Sequence, residues 1–391
     1  MLSFCNRPII IRHSSDAETA RTVSTHKMTS HLPHILLLGP ARAAVSGVST
    51  HLNQLIDSNL NASFCLSQFQ IGSEGRAEGR FGTLQRVLTS PFEFAARLIR
   101  ERPTIVHINT SFELKSYWRD VAYLSVAKIL RRKVVYQVHG GALPQEFFAK
   151  SRVLTACLRQ VLSHPDVIVL LSSREMAAYN AFVPDQRLKL IANAIDVHAP
   201  AVSAARYAEN RPLEVIYVGR LAADKGVFET VEAARLLRDR GIDIRFKFAG
   251  TGPAELPLRA AIDAACLGGM VTLLGAVFGA AKQELWEQAH VFAFPTYHRE
   301  GLPYALLESM AAGAVPVVSP VGAIPDVLQH DVHGLFVPPR DPSALAEALE
   351  RLDLDRGLLL RLAVAGRKRI EEQYSIGRLA SEFRQLYESL A

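Results

Sequence analysis

Strand-sized apolar runs, most of them rich in Val and Ile, recur along almost the whole chain and alternate with segments of helical periodicity. No other feature restricts the fold as much. The runs fall at 35–38, 105–108, 134–138 and 167–171, and after an interruption at 215–218, 245–249, 271–274, 291–294 and 315–318. Strands this uniformly apolar are buried on both faces, which is the situation of a parallel sheet covered by helices. Between them, Val48, Leu52, Leu55, Ile56 and Leu60 share one helical face, and 230–240, 342–352 and 356–373 also read as helices. Strand, helix and parallel strand in succession require right-handed crossovers, so the expected class is α/β with doubly wound, Rossmann-like sheets.

A chain of 391 residues exceeds one ordinary core. The rhythm lapses over 196–212, a stretch of Ala, Ser, Pro and charges, and then restarts. The expected organisation is an irregular leader over 1–31, a first domain over 32–195, a linker over 196–212 and a second domain over 213–374. An amphipathic last helix over 375–391 is free to cross back to the first domain. No apolar run approaches the roughly 20 residues that span a bilayer. Cys5, Cys65, Cys157 and Cys266 are far apart and form no Cys-x-x-Cys pair, which argues against a zinc site or disulfide framework and for a reducing, cytoplasmic compartment. The net charge of +6 is unevenly spread: residues 1–195 carry +10 and the remainder −4. The dense places are Arg97, Arg100, Arg102 and Arg131 to Lys133. A solvated basic face and contact with an anionic membrane both remain open. Nucleic acid is not an expected partner, because aromatic residues are not interleaved with the cations.

Open parallel sheets bind ligands beyond the carboxyl ends of their strands, so the chemistry is sought there. The segment 294–320 reads FPTYHREGLPYALLESMAAGAVPVVSP. Glu300 lies in the loop after a strand, Glu308 lies within the following helix, and the amides around Gly301, Leu302, Pro303 and Tyr304 open that helix toward an anion. Two carboxylates cannot neutralise a phosphate, but they can accept hydrogen bonds from sugar hydroxyls. In 215–228, VIYVGRLAADKGVF, Arg220 and Lys225 follow a strand in a glycine-punctuated loop. Two cations placed there can hold a diphosphate and the charge that develops as it leaves.

These segments resemble the Glu-x7-Glu signature and the Gly-Arg…Lys-Gly motif of the retaining GT-B glycosyltransferases, glycosyltransferase family four. Pro303 stands where that family usually has glycine, which removes one amide donor. Gly250 and Gly252 lie in a turn similar to the family's Gly-x-Gly-Pro, and Val277 lies in a stretch similar to the one that reads the donor base. Ser46-Gly47-Val48 resembles the glycine-rich loop of the first domain, with one glycine lost. His139, before Gly140 and Gly141, matches a histidine near the transferred sugar. The resemblance assigns catalysis to Glu300, His139, Lys225 and Arg220, and donor binding to these four loops and Glu308. His107 and Asn109, ending the preceding strand, are candidates for the acceptor side. Ser172 to Glu175 resembles a turn near the cleft, where helix capping is an equal explanation. Asn193 to Asp196 is similar to the turn by which the chain leaves the first domain.

The resemblance implies two Rossmann-like domains facing a cleft. The implied reaction moves a hexose-type unit from a nucleoside diphosphate sugar, UDP or GDP, to a hydroxyl of a glycan or lipid-linked acceptor. Configuration is retained, the reaction proceeds on one face of the sugar with the leaving phosphate helping to deprotonate the acceptor, and no metal is needed. Cell-surface polysaccharide assembly at the inner membrane face is the implied setting. A nucleotide-sugar epimerase of the same fold and a non-catalytic donor-binding subunit are the alternatives. Asp353-Leu354-Asp355 matches the Asp-x-Asp metal motif of another glycosyltransferase fold but follows no buried strand, and it reads as a turn and helix cap.

Overall fold

The computed structural model describes residues 32–76, 78–197, 202–207 and 212–391. The expected leader, 1–31, and positions 198–201 and 208–211 of the expected linker lie outside the described residues. Within the unit Pro33–Ala391 there are two six-stranded sheets, and every pairing between their strands is parallel. The first contains β1 (His34–Gly39), β2 (Cys65–Gln70), β3 (Ile105–Phe112), β4 (Lys133–Gly141), β5 (Val167–Leu170) and β6 (Leu188–Leu190), in the order β2-β1-β3-β4-β5-β6. The second contains β7 (Leu213–Val218), β8 (Ile244–Ala249), β9 (Val271–Gly275), β10 (Val291–Phe294), β11 (Val315–Val318) and β12 (Leu335–Phe336), in the order β12-β11-β10-β7-β8-β9. Each of the nine apolar runs marks one of these strands.

The three strands without such a run, β2, β6 and β12, are all sheet edges. An edge strand has a neighbour on one side only and tolerates polar residues, as in the sequence CLSQFQ of β2, so it lacks the continuous apolar signal. The helix Arg80–Glu101 was also unmarked in the sequence: Pro91 interrupts its amide ladder, and Gly82 and Ser90 weaken its propensity.

The chain crosses between the sheets twice, and the crossings touch. The Ile195 amide donates to the Tyr374 carbonyl at 2.8 Å, and Ile195 bridges to Ser375. The last helix, Ile376–Glu388, then packs Leu379, Phe383, Leu386 and Tyr387 against Ile35, Leu37, Val135 and Val167 of the first sheet. Burying about four large side chains, at roughly 1.5–3 kcal/mol each, makes the end of the chain part of the first core.

The sheet orders set where ligands can enter. Each sheet has one switch point, where consecutive crossovers leave on opposite faces. These lie between β1 and β3 in the first sheet and between β7 and β10 in the second.

Candidate active site

At the second switch point, the loops after β7 and β10 meet. Gly226 follows Lys225 at φ +79°, and a Cβ there would lie 2.4 Å from the Pro295 carbonyl oxygen, so only glycine allows this approach. Asp224 completes the clamp: its carbonyl accepts from the amides of Tyr297 and His298, and its carboxylate lies 2.7 Å from His298 Nδ1. Lys225 Nζ is thereby brought to 2.6 Å from Glu300 Oε1, which also accepts from Thr296 Oγ1 at 3.0 Å. Both charged side chains are largely withdrawn from solvent, 17% and 10% exposed, so the pair is only weakly screened. Thr296 is fully buried. Its role was not read from the sequence, although its position two residues beyond β10 was a usable signal.

Arg220 stands exposed on the rim of the same loop, and its side chain has no partner among the described residues. Its loop is fixed from the neighbouring strand. The Leu221 amide donates to the Thr251 carbonyl, and a Cβ on Gly250 or Gly252 would strike the carbonyl of Gly219 or Leu221 at 1.8 or 2.3 Å. Gly250 and Gly252 therefore serve backbone packing beneath Arg220. Val277 is half-buried in the loop after β9.

Glu308 lies on the helix Tyr304–Ala311 and has its own partners: Lys282 Nζ at 2.6 Å and Trp286 Nε1 at 3.1 Å. With Ile195, Asp196 and Gly279 these three side chains line a cavity of about 210 Å³ beside the crossing of the chain. The two glutamates thus address separate cations. Lys282 and Trp286 were missed, although they lie four residues apart on the helix Gly279–Gln288 just after the loop that carries Val277.

The helix Tyr304–Ala311 opens with unused amides. Among the described residues, those of Gly301, Leu302, Tyr304 and Ala305 find no acceptor, which is the arrangement that suits an anion. Pro303 is the N-cap residue and contributes no N–H. Leu302 is buried, and its carbonyl accepts from Asn193 Nδ2 at 2.8 Å.

The same loop touches the first sheet. A Cβ on Gly301 would lie 2.6 Å from the His139 carbonyl oxygen, and one on Gly140, at φ +99°, would lie 2.6 Å from the Gly301 nitrogen. Glu300 and His139 are therefore brought to one place by two facing glycines. Tyr304 closes a second contact: its hydroxyl donates to Gln54 Oε1 at 3.0 Å, and its ring lies 3.6 Å from where a Cβ on Gly47 would be. Gly47 itself is exposed at the start of the helix Gly47–Asp57, whose N-cap is Ser46.

His139 is held in one tautomer. Asn109 Nδ2 donates to the Leu38 carbonyl at 3.2 Å, which turns Asn109 Oδ1 toward His139 Nε2 at 2.9 Å. Nε2 therefore carries the proton, and Nδ1 keeps its lone pair. Burial, and then the neighbouring His51 and His107, hold the His139 pKa well below the ordinary value. His51 meets it edge-on at 4.8 Å between ring centres and was not singled out from the sequence. Burial pushes His51 down to about 4 and His107 down to about 3, so all three rings are neutral at pH 7.

His107 requires a correction. It was expected to line the acceptor side, but it is fully buried and its Nδ1 is bonded at 2.7 Å to the Tyr387 hydroxyl of the last helix. Its strand position turns it into the core, where no acceptor reaches it. Asn109, nearly as buried, does border a pocket of about 470 Å³ at the first switch point, between the helices Arg80–Glu101 and Leu114–Ile129. Of the remaining motifs, Ser172 Oγ accepts from the Glu175 amide as a helix cap. Asp355 caps the helix Arg356–Gln373, and Asp353 pairs with Arg356.

This geometry agrees with comparisons to known proteins. Residues 72–194 match the glycosyl transferase 4-like domain, and residues 203–369 match glycosyl transferases group 1. The amylovoran biosynthesis glycosyltransferase AmsK of Erwinia amylovora is 31% identical over 175 residues, 44% of this chain and 43% of that protein. The chain spans less than half the length of this and two further curated relatives, 43% to 46%. Sucrose-phosphate synthase from Thermosynechococcus elongatus superposes with a TM-score of 0.75 at 19% identity, covering 92% of this chain and 99% of that one. Anabaena HepE in complex with UDP-glucose superposes with a TM-score of 0.71 at 16% identity, covering 91% and 99%. Two parallel-sheet domains in this order give the chain the GT-B fold, and each domain in turn matches one of these two glycosyltransferase domain families.

Proposed function

We propose that the protein is a retaining glycosyltransferase that moves a hexose-type unit from UDP- or GDP-sugar to a hydroxyl of a glycan or lipid-linked acceptor in cell-surface polysaccharide assembly. One observation carries this reading: Lys225 and Glu300 pair at 2.6 Å at the second switch point, and Gly301 of the same loop lies against His139 of the first sheet. A diphosphate arriving there competes with Glu300 for Lys225, meets the unused amides of Gly301 and Leu302, and finds Arg220 at the rim. Glu300, released from Lys225, is then an acceptor for hydroxyls of the transferred sugar, and Glu308 for those of the ribose. His139 Nδ1, unprotonated, is an acceptor on the other side of the cleft. Lys225, Arg220 and Lys282 supply the positive charge, so transfer is expected to persist in EDTA. AmsK, whose name places it in amylovoran biosynthesis, supports the polysaccharide setting, and HepE, solved with UDP-glucose, supports a nucleotide-sugar donor.

The test is purified protein incubated with UDP- and GDP-sugars, with and without glycan and polyprenyl-phosphate acceptors, with products followed by mass spectrometry and anomeric configuration by NMR. A product of unchanged anomeric configuration is the expected outcome. Epimerised donor in the absence of any acceptor, or donor binding with no transfer to any acceptor, would refute it.

A further inference from the structure

The helix Arg80–Glu101 has two apolar faces, and only one is covered. Phe94 and Leu98 are buried in the first core. On the other side, Phe81, Leu84, Leu88, Phe92 and Ile99 are 58% to 81% exposed. With Ala95 their spacings are three, four, four, three and four residues, so they form one straight stripe along five turns, roughly 30 Å of helix. Five large apolar side chains in a line, on one of the longest surface elements, is not the scattered exposure of an ordinary surface.

Charge narrows what covers the stripe. Arg100 lies beside Ile99 and is largely exposed, and Arg102 comes directly after the helix and is also exposed. Arg131 adds an exposed cation in the same half, within the segment of net charge +10, whereas Lys133 pairs with Asp166. A helix with an apolar stripe and cationic surroundings suits the headgroup boundary of an anionic bilayer. On the adjoining helix, Leu114–Ile129, Trp118 is 55% exposed, and an amphipathic ring of this kind favours a membrane interface. No described helix is long and apolar enough to cross a membrane, so the contact is with its surface.

We propose that the Phe81–Ile99 stripe docks the protein on an anionic membrane surface. The pocket of about 470 Å³ then opens next to the lipid, because Val87 and Pro91 of the docking helix and Trp118 and Tyr123 of its neighbour line it. Its inner end is Asn109, which holds His139. Resting on the proposed glycosyl transfer, this arrangement specifies an acceptor with an apolar anchor in the bilayer and a hydroxyl-bearing head that enters between the two helices.

The full-length protein is sedimented with vesicles of phosphatidylcholine alone and with vesicles that also contain phosphatidylglycerol. Strong binding to the second and weak binding to the first are expected. The triple variant Leu88→Ser, Phe92→Ser, Ile99→Ser, none of whose positions lines the pocket, should bind the anionic vesicles at least about tenfold more weakly. Arg100→Gln with Arg102→Gln should lose about fivefold or more, mainly at low salt. Should the triple variant fail to fold, the single variant Phe92→Ser carries the same comparison. Vesicle binding does not depend on turnover, so an inactive protein that still binds separates docking from the proposed reaction. Undiminished binding by a folded stripe variant would overturn the proposal. So would a wild-type protein that ignores anionic vesicles and self-associates through the stripe, since a second copy would then be the occupant.

Discussion

The two sheets prepare their switch points in opposite ways. Between β7 and β10 the loops close backbone to backbone, through Gly226 on Pro295, and Lys225 and Glu300, which they carry, are already paired. Between β1 and β3 the loops stand apart around an open pocket bordered by Asn109, the residue that holds the neutral ring of His139. On the proposed function, the difference matches the ligand each side would take. A diphosphate has fixed charge and a compact shape, and rigid loops bearing cations and amides are preorganised for it. A neutral hydroxyl needs an oriented lone pair, which burial and a fixed tautomer provide, together with room for whatever is attached to it.

The sharpest way to break this contrast is to remove charge on the second side. Glu300→Gln and Lys225→Met should each lower transfer by about 10²–10³-fold. Their stabilities should differ. Lys225→Met leaves the buried Glu300 carboxylate without its cation, whereas Glu300→Gln keeps a neutral acceptor beside Lys225. Lys225→Met is therefore expected to lower Tm more. Near-normal transfer by both variants would remove the charged switch point from the mechanism, and equal Tm would show that the pair is solvated.

Acid should attack the first side. In the unfolded chain the histidines take up protons near pH 6.5, but burial holds His51 near 4 and His107 near 3 in the folded protein. The unfolded state binds more protons across that interval, so the stability contribution present at pH 7 is lost as pH falls from about 6.5 toward 4. The loss is on the order of 3 kcal/mol for His51 alone. Urea unfolding over a series from pH 7 to pH 4 measures it. His51→Leu should flatten the decline, and an unaltered slope would locate the acid sensitivity elsewhere.

Much of the second side was legible in the sequence, because its chemistry sits on short loops directly after strands of unbroken apolar character. Glu300, Lys225 and Arg220 all stand in loops that follow the carboxyl ends of such strands, and that position together with the resemblance to the family's motifs singles them out. Thr296 was missed although it lies two residues beyond β10, and Lys282 acquires meaning only when the Glu308 carboxylate arrives from the next helix. The first side was harder to read. His107 and Asn109 are two residues apart on β3, yet one is bonded to Tyr387 from the far end of the chain and the other faces the pocket. The amphipathic stripe on Arg80–Glu101 was hidden by Pro91, which reads locally as a break although the flanking turns hold the helix through it.

The tautomer of His139 allows a finer test. In Asn109→Ala the ring loses the acceptor that fixes its Nε2 proton, and kcat should fall about tenfold while donor affinity stays unchanged. Asn109→Asp places a carboxylate against Nε2 and favours the imidazolium, so the acidic limb of the kcat profile should move to higher pH. His139→Ala should reduce transfer more than donor binding. If Asn109 were only a packing residue, both of its variants would lower Tm and leave the pH profile in place.

The smallest expected effect on transfer lies where the two sides meet. Ser173 donates to Asp326 through its amide and its hydroxyl, and two residues later Glu175 is buried with its carboxylate accepting from the Leu171 amide at 2.9 Å. Burial pushes Glu175 up to about 7, outweighing those hydrogen bonds, and the nearby Asp326 carboxylate adds to the rise. Here the folded state holds its proton more tightly than the unfolded chain, so stability declines as pH rises from about 4.5 to about 7 and is level above that. Glu175→Gln keeps an oxygen for the Leu171 amide but cannot ionise. Its advantage over the wild type should be absent at pH 4.5 and reach on the order of 3 kcal/mol at pH 8. The window runs opposite to that of the histidines, so measuring both variants over one pH series separates the core of the first sheet from its contact with the second. A Glu175→Gln advantage that does not grow with pH would mean that the carboxylate is ionised in the folded protein and that the Ser173–Asp326 contact carries no titrating neighbour.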